Sequence, residues 1–256
     1  MAAMPAKLRA DQTFRRCLAM AAGVSVLALA AIVLFLLSQA LPIFSQVSLK
    51  DFLFSTEWYP TDDPPVFGIG ALIVGSLACA ALTTVIAVPT GVLTACAIHA
   101  GMPDGMKRVV KPMIELMAAL PSVVIGFIGM IILAPWLQNT FGLATGLNLT
   151  NASIMLAFMC VPTIASISED ALRNVPSGIR EASLALGATR WETLVKVELR
   201  WAMGGIATAV MLGISRVIGE TMVVLMVAGG AAIIPESIFD PVRPMTSSIA
   251  AEMAEA

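Results

Sequence analysis

Arg216 and Glu220 are the residues in this chain whose chemistry most needs a reason. They open the stretch RVIGETMVVLMVAGG, Arg216 to Gly230, which is otherwise apolar enough to face lipid. Arg200 marks the preceding polar boundary and Arg216 follows 16 residues later, so at about 1.5 Å per helical residue it lies roughly 24 Å further along. An arginine that deep in hydrocarbon faces a bundle interior or a water-filled cavity. On a continuous helix Glu220 falls one turn on, close enough to neutralise it. The guanidinium fork matches phosphate oxygens and stays ionised at any relevant pH. The carboxylate can accept a hydrogen bond from a protonated phosphate, which sulfate at neutral pH does not offer. The pair reads as part of an anion pathway or, alternatively, as a structural salt bridge.

The elements that must hold these residues are membrane helices. The 256-residue chain is 58% hydrophobic and 12% charged, with a mean hydropathy of +0.90, far outside the range of soluble domains. Five apolar stretches, approximately 17–44, 68–98, 112–136, 152–168 and 202–229, are long enough to cross a bilayer, which takes about 20 helical residues. The first follows Lys7, Arg9, Arg15 and Arg16 but is longer than a signal-peptide core, so it reads as a retained anchor. Lys107, Arg108 and Lys111 lie between spans two and three, and Arg173, Arg180, Arg190, Lys196 and Arg200 between four and five. Basic loops mark the cytoplasm, so the N-terminus is expected inside. The loop with Asp51, Glu57, Asp62 and Asp63, and the uncharged loop 137–151, are then external.

Several function classes drop out. With a net charge of -2 and one His, the chain has no basic face suited to nucleic acid. Cys17, Cys79, Cys96 and Cys160 are scattered through apolar stretches without CxxC or His partners, so they read as packing residues and no metal or cofactor is expected. No GxxxxGK[ST] occurs, so any ATP is hydrolysed on another chain. No HExxH, paired aspartates or Ser-His arrangement lies within the spans, which argues against an enzyme. Asn148 and Asn151 match N-x-[ST], a pattern without meaning outside a eukaryotic secretory context. Pro89, Pro121 and Pro162 each remove a helix hydrogen bond and bend their spans.

The longest cytoplasmic loop, 169–201, is the most informative segment. Leu184, Leu186, Trp191, Leu194 and Val195 alternate there with Arg180, Glu181, Arg190 and Glu192, and Gly187 interrupts the pattern. This predicts a short helix, a glycine turn and a second helix returning to the membrane. Such an elbow could lie on the membrane surface or dock into a partner.

REASLALGATRWETLVKVEL resembles the EAA loop of ABC-transporter permeases. Glu181, Ala182, Ser183, Gly187, Val197 and Leu199 stand at the positions of that pattern, while its final Pro is replaced by Arg200. IELMAALPSVVIGF (114–127), the GETMVVLM run and FDPVRPMTSSIA (239–250) are similar to the PstC family of phosphate-importer permease subunits. The resemblance implies an all-α polytopic bundle of the type I ABC importer (MetI-like) fold in a bacterial cell membrane. It implies a second, PstA-like permease, two PstB-like ATPase subunits and an external PstS-like phosphate-binding protein as partners. Arg180, Glu181, Ala182, Ser183, Leu186, Gly187 and Ala188 would couple to the ATPase, and Arg216, Glu220, Pro121 and Ser122 would line the pathway. The expected organisation is a cytoplasmic segment 1–16, an anchor 17–44, an external loop 45–67 and a permease core 68–256. Members of the family carry a sixth span after a segment like SSIAAEMAEA, and here that last helix is expected to be absent. Against this reading stand a permease for sulfate or molybdate, and an ion-coupled secondary transporter or channel using Arg216 and Glu220 as a relay.

Overall fold

The computed structural model describes residues 6–253. Residues 1–5 of the expected cytoplasmic segment and 254–256 at the end of the expected core lie outside the described residues. The chain forms two units, Met1–Phe52 and Leu53–Ala256. The first is dominated by helix α1, Ala6–Ala40, which runs into a 3-10 turn at Leu41–Ser45 begun by Pro42. Leu27 and Leu34 are 70% and 67% exposed on it, and a helix that is apolar all round suits a lipid environment. A short helix α2, Leu49–Phe54, follows.

The second unit starts with a small antiparallel hairpin, β1 Trp58–Tyr59 and β2 Val66–Phe67. Its centre is the pair α3, Gly70–Cys96, and α7, Leu149–Arg173. Small residues let these backbones approach. A Cβ on Gly91 of α3 would meet Ile164 Cγ2 of α7 at 2.7 Å, and on the later helix Leu199–Ile218 one on Gly213 would meet Cys160 Sγ of α7 at 2.7 Å, the close packing that joins helices where lipid supplies no hydrophobic drive. Cys79, Leu156, Cys160, Ile164, Val223 and Val227 form the core around them. Cys79, Cys96 and Cys160 are buried and unpaired, as packing residues are.

The third passage is broken. Helix α4, Asp104–Ala118, stops before Pro121, and α5, Ser122–Ile128, restarts with Pro121 as its N-cap. A π-turn at Gly129–Leu133 then leads into α6, Ala134–Phe141. This corrects the continuous span expected over 112–136. Proline has no N–H to continue the ladder, and it disfavours helical backbone in the residue before it. Pro89 and Pro162, in contrast, sit inside continuous helices. Asn148 caps α7 by accepting from Asn151 N at 2.9 Å. The Asn151 amide donates to Gly129 O and Gly146 O. Both asparagines are fully buried, so the two N-x-[ST] matches are helix-capping and interhelical contacts.

After α7 come α8, Ser177–Ala185, and α9, Arg190–Thr193, then a π-turn at Leu194–Glu198 and α10, Leu199–Ile218. The connection expected over 169–201 is therefore shorter, because α7 runs on to Arg173 and the last membrane-length helical run already starts at Arg190. The last span is also displaced. It was expected over 202–229, but the helical run covers Arg190–Ile218 and breaks before α11, Met222–Val227. The chain then returns, with Val242 N donating to Ala228 O at 2.8 Å, into α12, Met245–Glu252. Among the described residues, five helical segments are long and apolar enough to cross a membrane.

Candidate functional site

Arg216 lies in the last turn of α10, half-buried. Its Nη2 donates to Ala118 O at 3.1 Å. Ala118 ends α4, where helix carbonyls lack internal partners and the negative end of the dipole is exposed. The guanidinium thus caps the broken passage just ahead of Pro121 and Ser122. The structure brings Arg216 next to that break, with Ser122 half-buried and Pro121 exposed.

The helical pairing expected of Arg216 and Glu220 does not form. Helix α10 ends at Ile218, and Glu220 N turns back to Val217 O at 3.2 Å. Glycine at 219 ends the helix and carries Glu220 off the face that i+4 spacing would have given it. Among the described residues the ion pairs involve His99, Lys111, Arg180, Lys196 and Arg243, and Arg216 is in none of them. Arg216 and Glu220 still border one small crevice with Leu156, Met159 and Cys160. Glu220 O accepts from Thr246 Oγ1 at 2.8 Å, which ties the break after α10 to α12.

The elbow residues sit together. Arg180, Glu181, Ala182 and Ser183 are on α8, Leu186 caps it, and Gly187 adopts φ +86°. Gly187 N donates to Leu184 O at 2.9 Å and Ala188 N to Ser183 O at 3.3 Å, the paired bonds of a glycine helix stop. Thr189 then starts α9 through a reciprocal capping box with Glu192. The Ser183 and Thr193 hydroxyls meet at 3.0 Å and hold the two arms together. Leu186 is 89% exposed, an apolar side chain offered at the tip.

Beneath the elbow is a polar cluster that the sequence reading passed over. Glu198, 4% exposed, accepts from Arg180 Nε at 2.5 Å and lies 2.8 Å from His99 Nε2. Arg180 Nη2 is 3.1 Å from the same His99 nitrogen. Lys107 Nζ donates to His99 O at 2.6 Å, and Lys111 bridges Glu169 and Asp170 at 2.5 and 2.6 Å. Burial works against the Lys111 ammonium, but the hydrogen bonds it donates to Asp170 and Glu169 prevail and raise its pKa above the usual lysine value. His99 is the single histidine, and Glu198 is an acid at the root of a membrane helix. Those were the two available signals. Their separation of 99 residues hid the contact.

A polytopic bundle with a broken passage, a half-buried arginine at the break and a helix–glycine–helix elbow has the form of a transport permease. Residues 87–251 match the model for binding-protein-dependent transport system inner membrane components, and the chain belongs to that family. It is 40% identical over 232 residues to the probable ABC transporter permease protein YqgH of Bacillus subtilis (strain 168), covering 90% of this chain and 75% of that protein. To the phosphate transport system permease protein PstC of Pasteurella multocida (strain Pm70) it is 34% identical over 230 residues, with 82% and 72% covered. The fold is similar to that of the inward-facing MetNI methionine ABC transporter in its native crystal form, with a TM-score of 0.50 and 24% identity over 64% of this chain and 74% of that one. The chain is an ABC importer permease, a multi-pass membrane protein.

Proposed function

We propose that this chain is the PstC-like permease subunit of an ATP-driven phosphate importer. It shares the pathway with a PstA-like permease, receives phosphate from an external PstS-like protein and is driven by two PstB-like ATPase subunits. The carrying observation is Arg216, half-buried at the break between α4 and α5, with one N–H on Ala118 O and no ion pair among the described residues to occupy the rest of its fork. Arg216, Glu220, Pro121 and Ser122 line the pathway in this reading. Relatives named as phosphate permeases add support. The elbow, Arg180 to Ala188, seats the ATPase, with Leu186 as its apolar contact.

The test is reconstitution of the chain with its three candidate partner types in vesicles. ATP-dependent phosphate uptake, unaffected by excess sulfate, is expected. Uptake of sulfate or molybdate in its place would overturn the choice of anion, and uptake without ATP would favour a secondary transporter.

The same reading places residues 1–16 in the cytoplasm, the anchor 17–44 across the membrane, 45–67 outside and the permease core over 68–256. With the exposed Cys17 replaced by Ser, Tyr59→Cys and Phe141→Cys, both over half exposed, are expected to react with a membrane-impermeant thiol reagent in intact cells. Met106→Cys and Leu186→Cys, also exposed, are expected to react only after permeabilisation. The opposite pattern would invert the topology.

A further inference from the structure

We propose that His99, Glu198 and Arg180 form a two-state joint that transmits movement of the elbow, through α4, to the break held by Arg216. The proposal rests on the importer reading, since it supposes an ATPase acting on the elbow. Glu198 sits at the end of the π-turn that roots α10, Arg180 is on the elbow arm α8, and His99 is in a π-turn, Ala97–Gly101, that follows α3. Three elements therefore meet at one buried carboxylate.

The joint has two hydrogen-bonded arrangements for a chemical reason. His99 Nε2 lies 2.8 Å from Glu198 Oε2 and 3.1 Å from Arg180 Nη2. Carrying a proton, that nitrogen donates to the carboxylate. Bare, it accepts from the guanidinium, and one nitrogen cannot do both at once. The end of α3 is bonded to the root of α10 in the first arrangement and to the elbow in the second. Arg180 Nε holds Glu198 Oε1 throughout, so the cluster changes partner without leaving a buried charge bare. A discrete two-state element of this kind is what physical coupling between distant sites requires.

Helix α4 carries the change onward. Lys107, near its start, is fastened to His99 O, and Ala118, at its end, is fastened to Arg216. Its 15 residues make a strut about 22 Å long. Lys111 and Glu115 hold its side against α7 through Glu169, Asp170 and Ser166. A shift of the His99 backbone therefore moves the carbonyl end that Arg216 caps.

The experiment is the ratio of anion imported to ATP hydrolysed in the reconstituted complex, for wild type, Glu198→Gln and His99→Leu. Glu198→Gln removes the shared charge, and His99→Leu removes the switching nitrogen while filling its volume. Each variant is expected to keep ATP hydrolysis and to lower the ratio about tenfold, within the range of measured site-to-site couplings. Combined, they should do no more than the worse single change, because they break the same joint. A wild-type ratio in both single variants overturns the proposal, as does a parallel fall of hydrolysis and uptake. Should Glu198→Gln not assemble, His99→Leu decides alone. Failure of the importer reading is distinct, since wild type itself would then import no phosphate. If it imports sulfate, the same ratio measured with sulfate tests the joint.

Discussion

Arg216→Gln is expected to reduce phosphate uptake roughly 100-fold while the protein remains in the membrane at near-normal level. A charge-assisted hydrogen bond to a buried anion contributes about 1.5–3 kcal/mol, and each 1.4 kcal/mol is about tenfold. Arg216 gives one N–H to Ala118 O at 3.1 Å, and in the proposed reading its other N–H groups meet the anion. Had it been locked to Glu220, removal would have stranded a buried carboxylate, and the double change with Glu220→Gln would have restored both level and transport. No such ion pair joins the two among the described residues. Arg216→Gln with Glu220→Gln should therefore transport no better than Arg216→Gln alone. Arg216→Lys keeps the charge but loses the fork, so an intermediate loss is expected. Wild-type uptake of labelled phosphate by a well-expressed Arg216→Gln variant would remove Arg216 from the pathway.

Legibility from sequence followed the range of the interaction. The apolar runs announced five membrane helices because each run reports only its own solvent. The elbow was legible because Gly187 and the apolar and charged residues that alternate around it lie within one short segment. What failed was the assumption that a greasy run is one helix. Gly219 ends α10 and Pro121 restarts the third passage as α5, and hydropathy does not register either break. The Arg216–Glu220 spacing therefore misled, since i+4 proximity holds only on an unbroken helix. The contact that replaces it, Arg216 to Ala118 O, spans 98 residues. Its acceptor is a backbone carbonyl, which every residue has and no pattern marks. The His99–Glu198–Arg180 cluster was hidden similarly, its members separated by whole helices.

Gly187→Pro is expected to uncouple transport from ATP hydrolysis or to prevent ATPase assembly, with membrane insertion left in place. Gly187 holds φ +86°, and an L-residue in the left-handed region costs about 1–2 kcal/mol. Proline does worse, because its ring fixes φ near −65°. It also has no N–H to donate to Leu184 O, a bond of 2.9 Å in the glycine stop. The α8 helix then loses its C-terminal partner, and the following chain leaves in another direction. Thr193 is carried away from Ser183, and the exposed Leu186 no longer sits at the tip of a closed elbow. Gly187→Ala separates shape from strain. A Cβ there meets nothing within 4 Å, so its cost is backbone strain alone and the elbow keeps its outline. Uptake per ATP is expected to fall by tenfold or more in Gly187→Pro, roughly the range of a lost coupling energy, and only a few-fold in Gly187→Ala. Equal, near-normal ratios in the two variants would mean that the elbow does not connect ATP hydrolysis to transport.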